Sequence, residues 1–219
     1  MIKTLHGHSH LTESLVFTPN GNFLISWSDD QTIKIWEIES GRCVKTLGGQ
    51  IGRICCVAID QSGELISSSS SDKIVRIWNF DSGDCLATLS GHSDWVIGID
   101  FHPMNSSIIA SCSGDRTVII WDLKGGKDKS VLKGHKAWIK SVKFSPNGNL
   151  IASSSSDRTI RLWEVETCQC VKILTGHEGW INSITFSPDG KFLISASSDE
   201  SIRMWDVETG ENIHILEDK

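Results

Sequence analysis

The sequence predicts an all-β fold of five repeated four-stranded units, and three observations carry that prediction. Trp36, Trp78, Trp121, Trp163 and Trp205 recur at steps of 42, 43, 42 and 42 residues, a period that marks repeated supersecondary units. Each has an Asp six residues before it (Asp30, Asp72, Asp115, Asp157, Asp199) and a Ser ten before it (Ser26, Ser68, Ser111, Ser153, Ser195). Gly-His opens four of the units, as Gly7-His8, Gly91-His92, Gly134-His135 and Gly176-His177, whereas the second reads Gly49-Gln50.

The elements of one unit can be read in order from the fourth. Residues 139–144 form an apolar run, Ser145-Pro146-Asn147-Gly148 a turn, and 150–154 a second run. After Ser156-Asp157-Arg158-Thr159 come the β-branched and aromatic stretch 160–163, a polar connection and a last run at 171–174. Short apolar runs divided by turn residues are strands joined as antiparallel hairpins. Apolar and small residues occupy both faces, so each sheet is expected to lie between two neighbours. The units span approximately 7–48, 49–90, 91–133, 134–175 and 176–216 of one domain covering 1–219, with 1–6 as an extra outer strand.

These residues resemble the WD-repeat family over essentially the whole chain. Trp-Asp itself appears only at Trp121-Asp122 and Trp205-Asp206; elsewhere the second residue is Glu37, Asn79 or Glu164. The resemblance implies a β-propeller, with four-stranded blades around a central channel. It also implies a hydrogen-bonded chain through His, Ser, Asp and Trp of each blade. The matching sets are His8, Ser26, Asp30 and Trp36; His92, Ser111, Asp115 and Trp121; His135, Ser153, Asp157 and Trp163; and His177, Ser195, Asp199 and Trp205. In the second unit Gln50 takes the His position beside Ser68, Asp72 and Trp78. A buried indole N–H can donate to a hydroxyl, which passes a hydrogen bond to an imidazole held by a carboxylate. Ser, His and Asp also make up a catalytic triad, but a set repeated in four units reads as structural.

Composition narrows the functional classes. With 39% hydrophobic and 22% charged residues the chain is globular in composition. Its net charge of −6, with basic residues scattered among acidic ones, argues against nucleic acid as a partner. No apolar run approaches the roughly 20 residues that span a bilayer, and no charged-then-apolar leader follows Met1. Seven cysteines, an odd number at mostly strand positions, fit a reduced compartment, so the cytoplasm is expected, with the nucleus as the alternative. Cys168 and Cys170 have pair spacing but no second pair at ligand distance, so neither a metal nor a cofactor is expected.

A second tryptophan series, Trp95, Trp138 and Trp180, follows the repeat His by three residues; the equivalents in the first two units are Leu11 and Arg53. Each lies where a loop enters the innermost strand, so the three are expected on one rim. Two residues further on, Ile97, Lys140 and Asn182 should face the channel mouth. Trp and Arg dominate binding hot spots, and in the resembling family this rim binds peptides and partner proteins. Trp95, Trp138, Trp180, Arg53, Lys140 and Asn182 are therefore the candidate protein-binding residues, although packing of each Trp on a neighbouring loop is the competing reading. No acid, base or nucleophile group stands outside the repeat pattern, so no enzymatic activity is expected. The expected function is a protein-interaction scaffold or adaptor. The alternatives are a structural, self-assembling module or the sensor portion of a signalling protein.

Trp27 occupies a position held by Ser69, Cys112, Ser154 and Ala196 in the other units. A side chain that large is expected either to displace its neighbouring sheet or to have none there. Residues 2–5, before Gly7-His8, read as one strand more than five blades need. The chain is accordingly expected to be an incomplete ring, part of a larger propeller, or a ring completed by another copy. A closed five-bladed ring is the alternative.

Overall fold

A computed structural model describes residues 4–125 and 130–217. The polypeptide forms two compact units, Met1–Val96 and Ile97–Lys219. The first carries two sheets. One comprises β1 (Thr12–Phe17), β2 (Phe23–Ser28), β3 (Ile33–Glu37) and β4 (Cys43–Leu47). The other comprises β5 (Ile54–Ile59), β6 (Leu65–Ser70), β7 (Ile74–Asn79) and β8 (Cys85–Ser90).

The second unit holds three sheets, the first of them starting at Val96. That sheet comprises β9 (Val96–Phe101), β10 (Ile108–Ser113), β11 (Thr117–Asp122) and β12 (Ser130–Lys133). Next come β13 (Ile139–Phe144), β14 (Leu150–Ser155), β15 (Thr159–Glu164) and β16 (Cys170–Thr175). The last sheet is β17 (Ile181–Phe186), β18 (Phe192–Ser197), β19 (Ser201–Asp206) and β20 (Asn212–Glu217). Each sheet is a four-stranded meander with neighbours paired in chain order, the all-β, five-sheet architecture that the repeat predicted. Of the expected extra strand at residues 2–5, positions 2 and 3 lie outside the described residues, and Thr4 and Leu5 are in no strand.

The second strand of each sheet explains how a serine-rich sequence builds a core. Ser67, Ser68, Ser69 and Ser70 on β6, and Ser153, Ser154 and Ser155 on β14, are all buried. Their small side chains let the next sheet approach, while large aliphatics on the flanking strands supply apolar area. In the first unit Ile25, Trp27, Ile33, Ile35 and Leu47 of the first sheet pack on Ile54, Val57, Ile66 and Trp78 of the second. In the second unit Ala152, Ile160, Leu162 and Leu174 pack on Ile181, Ile184, Leu193 and Trp205 in the same way. Asp100 on β9 adds a polar tie to the next sheet: Lys143 Nζ lies 2.9 Å from its Oδ1, and the Phe144 N–H donates to Oδ2 at 2.8 Å. Burial pushes the Asp100 carboxyl up, against the pull of Lys143.

Trp27 meets a neighbouring sheet, which excludes one of its two expected outcomes, that of having none. It is buried in the junction between the first two sheets, so the neighbouring sheet accommodates the ring and is not lost. Its indole Nε1 is buried without a hydrogen-bond partner.

Candidate functional site

The turn between the second and third strands organises each sheet. Asp30, Asp72, Asp115, Asp157 and Asp199 are each followed by a non-glycine residue in the left-handed region: Gln31, Lys73, Arg116, Arg158 and Glu200, with φ between 64° and 73°. This conformation is strained for residues with a Cβ, and the carboxylate holds it by accepting backbone N–H groups beyond the turn. Asp157 is representative. Its Oδ1 accepts from the Thr159 N–H at 3.0 Å and from the Thr159 hydroxyl at 2.6 Å. Its Oδ2 accepts from the Lys136 N–H at 2.8 Å and lies 2.8 Å from His135 Nδ1.

From there the chain of hydrogen bonds runs inward. With the imidazole neutral and its proton on Nδ1, the Ser153 hydroxyl donates to His135 Nε2 at 2.8 Å and accepts from Trp163 Nε1 at 2.8 Å, so every polar group is satisfied. The first and fifth sheets repeat this arrangement. His8 Nδ1 is 2.8 Å from Asp30, its Nε2 is 2.7 Å from Ser26, and Trp36 donates to Ser26 at 2.8 Å. His177 Nδ1 is 2.8 Å from Asp199, its Nε2 is 2.7 Å from Ser195, and Trp205 donates to Ser195 at 2.9 Å. In the third sheet Trp121 donates to Ser111 at 2.8 Å, Thr117 donates to Asp115, and His92 is buried. The hydroxyls of Ser26, Ser153 and Ser195 are enclosed and already engaged on both sides, as befits structural joints.

Electrostatics follow from that geometry. Burial acts to raise Asp30, Asp157 and Asp199, but the converging donors outweigh it and hold all three well below the usual carboxylate range. The chief donors are Thr32 for Asp30, His135 for Asp157 and Ser201 for Asp199. Burial lowers His177, with nearby Arg203 acting in the same direction and Asp199 in the opposite one.

The second sheet solves the loss of histidine differently. Trp78 still donates to Ser68 at 2.9 Å. Asp72 Oδ1 accepts from the Ile74 N–H, and Arg76 Nη1 lies 2.8 Å from Asp72 Oδ2 as an ion pair without hydrogen-bond alignment. Gln50 is buried with neither end of its amide partnered. The role of Arg76 was not legible in the sequence, because Arg161 and Arg203 stand at the same offset from Asp157 and Asp199 in units that keep the His.

The rim residues are positioned by backbone. The carbonyls of Arg53, Trp138 and Trp180 accept from the N–H of Ser71, Ser156 and Ser198, each directly before its turn Asp. Two residues later a β-bulge leaves one residue unpaired on the innermost strand. That residue is Glu13 on β1, Cys55 on β5, Lys140 on β13 and Asn182 on β17. A bulge re-aims a side chain. Lys140 Nζ accordingly sits 5.2 Å from the Trp138 ring centroid and 5.7 Å from that of Trp180, between two aromatics of adjacent sheets. Trp138 is 42% and Trp180 57% exposed.

The other candidates are placed separately. Asn182 donates to Ser198 Oγ at 2.9 Å within its own sheet. In the first unit Trp95 is exposed. Arg53 there is held by first-sheet carboxylates, with Nη2 2.6 Å from Glu13 and Nε 3.2 Å from Asp29, so it ties two sheets together.

With this geometry in hand, the comparisons with known proteins are decisive for family. The WD domain, G-beta repeat, matches at residues 1–37, 41–79, 83–122, 126–164 and 168–206. The chain belongs to the WD-repeat family. It is similar to nuclear distribution protein nudF of Emericella nidulans, 52% identical over 50 residues, which are 22% of this chain and 11% of that protein. Nuclear distribution protein PAC1 of Gibberella zeae is 53% identical over 49 residues, with the same shares of 22% and 11%. The ribosome biogenesis protein BOP1 homolog of Drosophila melanogaster is 51% identical over 41 residues, 19% of this chain and 5% of that protein. The similarity thus spans about a tenth or less of these relatives' own length. WD repeats make a protein-interaction scaffold the general role, and the five sheets are its blades.

Proposed function

We propose that this WD-repeat chain is a non-enzymatic interaction scaffold that binds partner proteins at the rim formed by Trp138, Lys140 and Trp180. The observation that carries this reading is the lysine held between two half-exposed indoles. Monomeric surfaces rarely leave large aromatics so open, and Trp is the residue most enriched in binding hot spots. The ammonium between the rings gives the apolar platform a charge-specific centre. A peptide segment that places a carboxylate against Lys140 and an apolar or aromatic side chain on either indole would satisfy both. In the first unit Trp95 and Arg53 are proposed as protein-contact residues in their own right, Arg53 once released from Glu13 and Asp29. A reduced, cytoplasmic setting is part of the same reading, supported by the odd cysteine count.

The test is selection of peptides from a random display library on the immobilised chain. Acidic, aromatic-containing peptides should be enriched, and their binding should fall at least tenfold in Trp138→Ala/Trp180→Ala and in Lys140→Glu, with unchanged melting temperature. Enriched peptides that bind wild type and variants equally would refute the rim assignment.

A further inference from the structure

Within each unit the blades bury one another through the same positions, and those positions are exposed on the leading face of the first blade and on the trailing face of the fifth. On the leading face of a blade, Val57, Val142 and Ile184 occupy the same place on the innermost strand and are all buried. Their counterpart on β1 is Leu15, which is 55% exposed, and two residues on Phe17 is 56% exposed whereas its counterpart Phe144 is buried. On the trailing face, Ile33 with Leu47, Val118 with Leu132, and Ile160 with Leu174 are buried pairs on the third and fourth strands. The corresponding pair in the fifth blade is Ile202, 43% exposed, and Leu216, 61% exposed.

The two faces are complementary by the chain's own rule. At the junction of the fourth and fifth blades, Ile160 and Leu174 on one side meet Ile184 on the other. Ile202 and Leu216 are the same residues in kind as the first pair, and Leu15 is the same in kind as the second partner. The small residues needed for close approach are also in place. On the fifth blade's trailing face Ala196 stands where Ser154 stands in the buried junction, with Ser183 beside it on the innermost strand. Side chains of this size gain free energy in proportion to the apolar area they lose to water. Two exposed apolar faces that fit each other therefore favour association.

We propose that the trailing face of the fifth blade of one copy docks on the leading face of the first blade of a second copy, head to tail, as a heterologous interface. The contact uses different residues on its two sides, and this gives a specific test. Sedimentation of the wild-type chain should show mass increasing with concentration. Phe17→Asp alone should be monomeric, and so should Leu216→Asp, because each removes one side of every contact. Mixed together, the two variants should form a 1:1 pair, since each keeps the face that the other lacks. Leu15→Lys and Ile202→Lys provide the same test at neighbouring positions should either first variant fail to fold. A wild type that stays monomeric throughout, a single variant that still associates, or a mixture that stays monomeric would each overturn the proposal.

Discussion

Arg76 approaches Asp72 to 2.8 Å in the second blade and so takes the carboxylate that histidine holds in the first, fourth and fifth. The substitution is partial. An Arg satisfies the charge of the Asp but does not reach on to the Ser, and Gln50 is left buried with an idle amide. Gln50→His is therefore expected to stabilise the protein by about 1 kcal/mol by giving Ser68 an imidazole partner and removing two unpaired polar atoms. A higher urea midpoint checks it; an unchanged or lower one would show that the amide is not idle.

Removal of the turn carboxylates should rank the blades. Asp157 gathers four donors, from His135, Lys136 and two from Thr159, whereas Asp72 is approached by the Ile74 N–H and Arg76. Asp157→Ala or Asp199→Ala should cost about 1–3 kcal/mol, and Asp72→Ala less, because an arginine stem can swing its charge to water. Equal shifts in denaturant midpoint for the three variants would contradict the ranking.

The same donors set the pH dependence. Asp30, Asp157 and Asp199 have folded pKa values below their unfolded ones. The unfolded chain therefore binds more protons once pH falls below about 4, and the stability these groups contribute above that pH is lost progressively on further acidification. His177 is lowered as well, so it adds a loss that begins as pH falls through its unfolded value of about 6.5. Denaturant midpoints measured from neutral to acid pH should decline in two stages. The acid stage should be shallower in Asp157→Asn.

Much of this was legible because the repeat states the same chemistry several times. Trp163, Ser153, Asp157 and His135 could be matched residue by residue to Trp205, Ser195, Asp199 and His177, and the structure joins each set by hydrogen bonds. What escaped were the features that arise only when blades meet. The pairing of Arg53 with Glu13 and Asp29 depends on the fit of two sheets, and the bulge that turns Lys140 between two indoles depends on strand register. The first leaves no periodic trace in the chain, and the second recurs at Glu13, Cys55 and Asn182, residues too unlike one another to announce it.

The two tryptophan series should respond oppositely to truncation. Trp205 is enclosed in the junction of the last two blades and donates to Ser195, so Trp205→Ala should cost about 3–5 kcal/mol. Trp180 is 57% exposed, and Trp180→Ala should cost less than about 1 kcal/mol, including its contact with Lys140. Thermal melts of the two variants check the contrast. A large loss at Trp180 would assign that indole to packing, not binding.

Trp27 gives the sharpest test of how the first two blades fit. Four blades carry Ser, Cys or Ala at this position, and the first carries an indole that fills the junction with Ile54, Val57 and Ile66 while its N–H goes unpartnered. Apolar area and the unsatisfied donor pull in opposite directions, and two substitutions separate them. Trp27→Ser restores the residue of the other blades, yet the sheets here have settled around a ring; it should leave a cavity and cost about 3–5 kcal/mol. Trp27→Phe keeps most of the apolar volume and removes the orphaned donor, whose burial costs about 1–3 kcal/mol, so it should be close to neutral or stabilising. If Trp27→Phe proved as damaging as Trp27→Ser, the indole nitrogen would have a partner, and the junction would depend on that bond and not on the ring's volume.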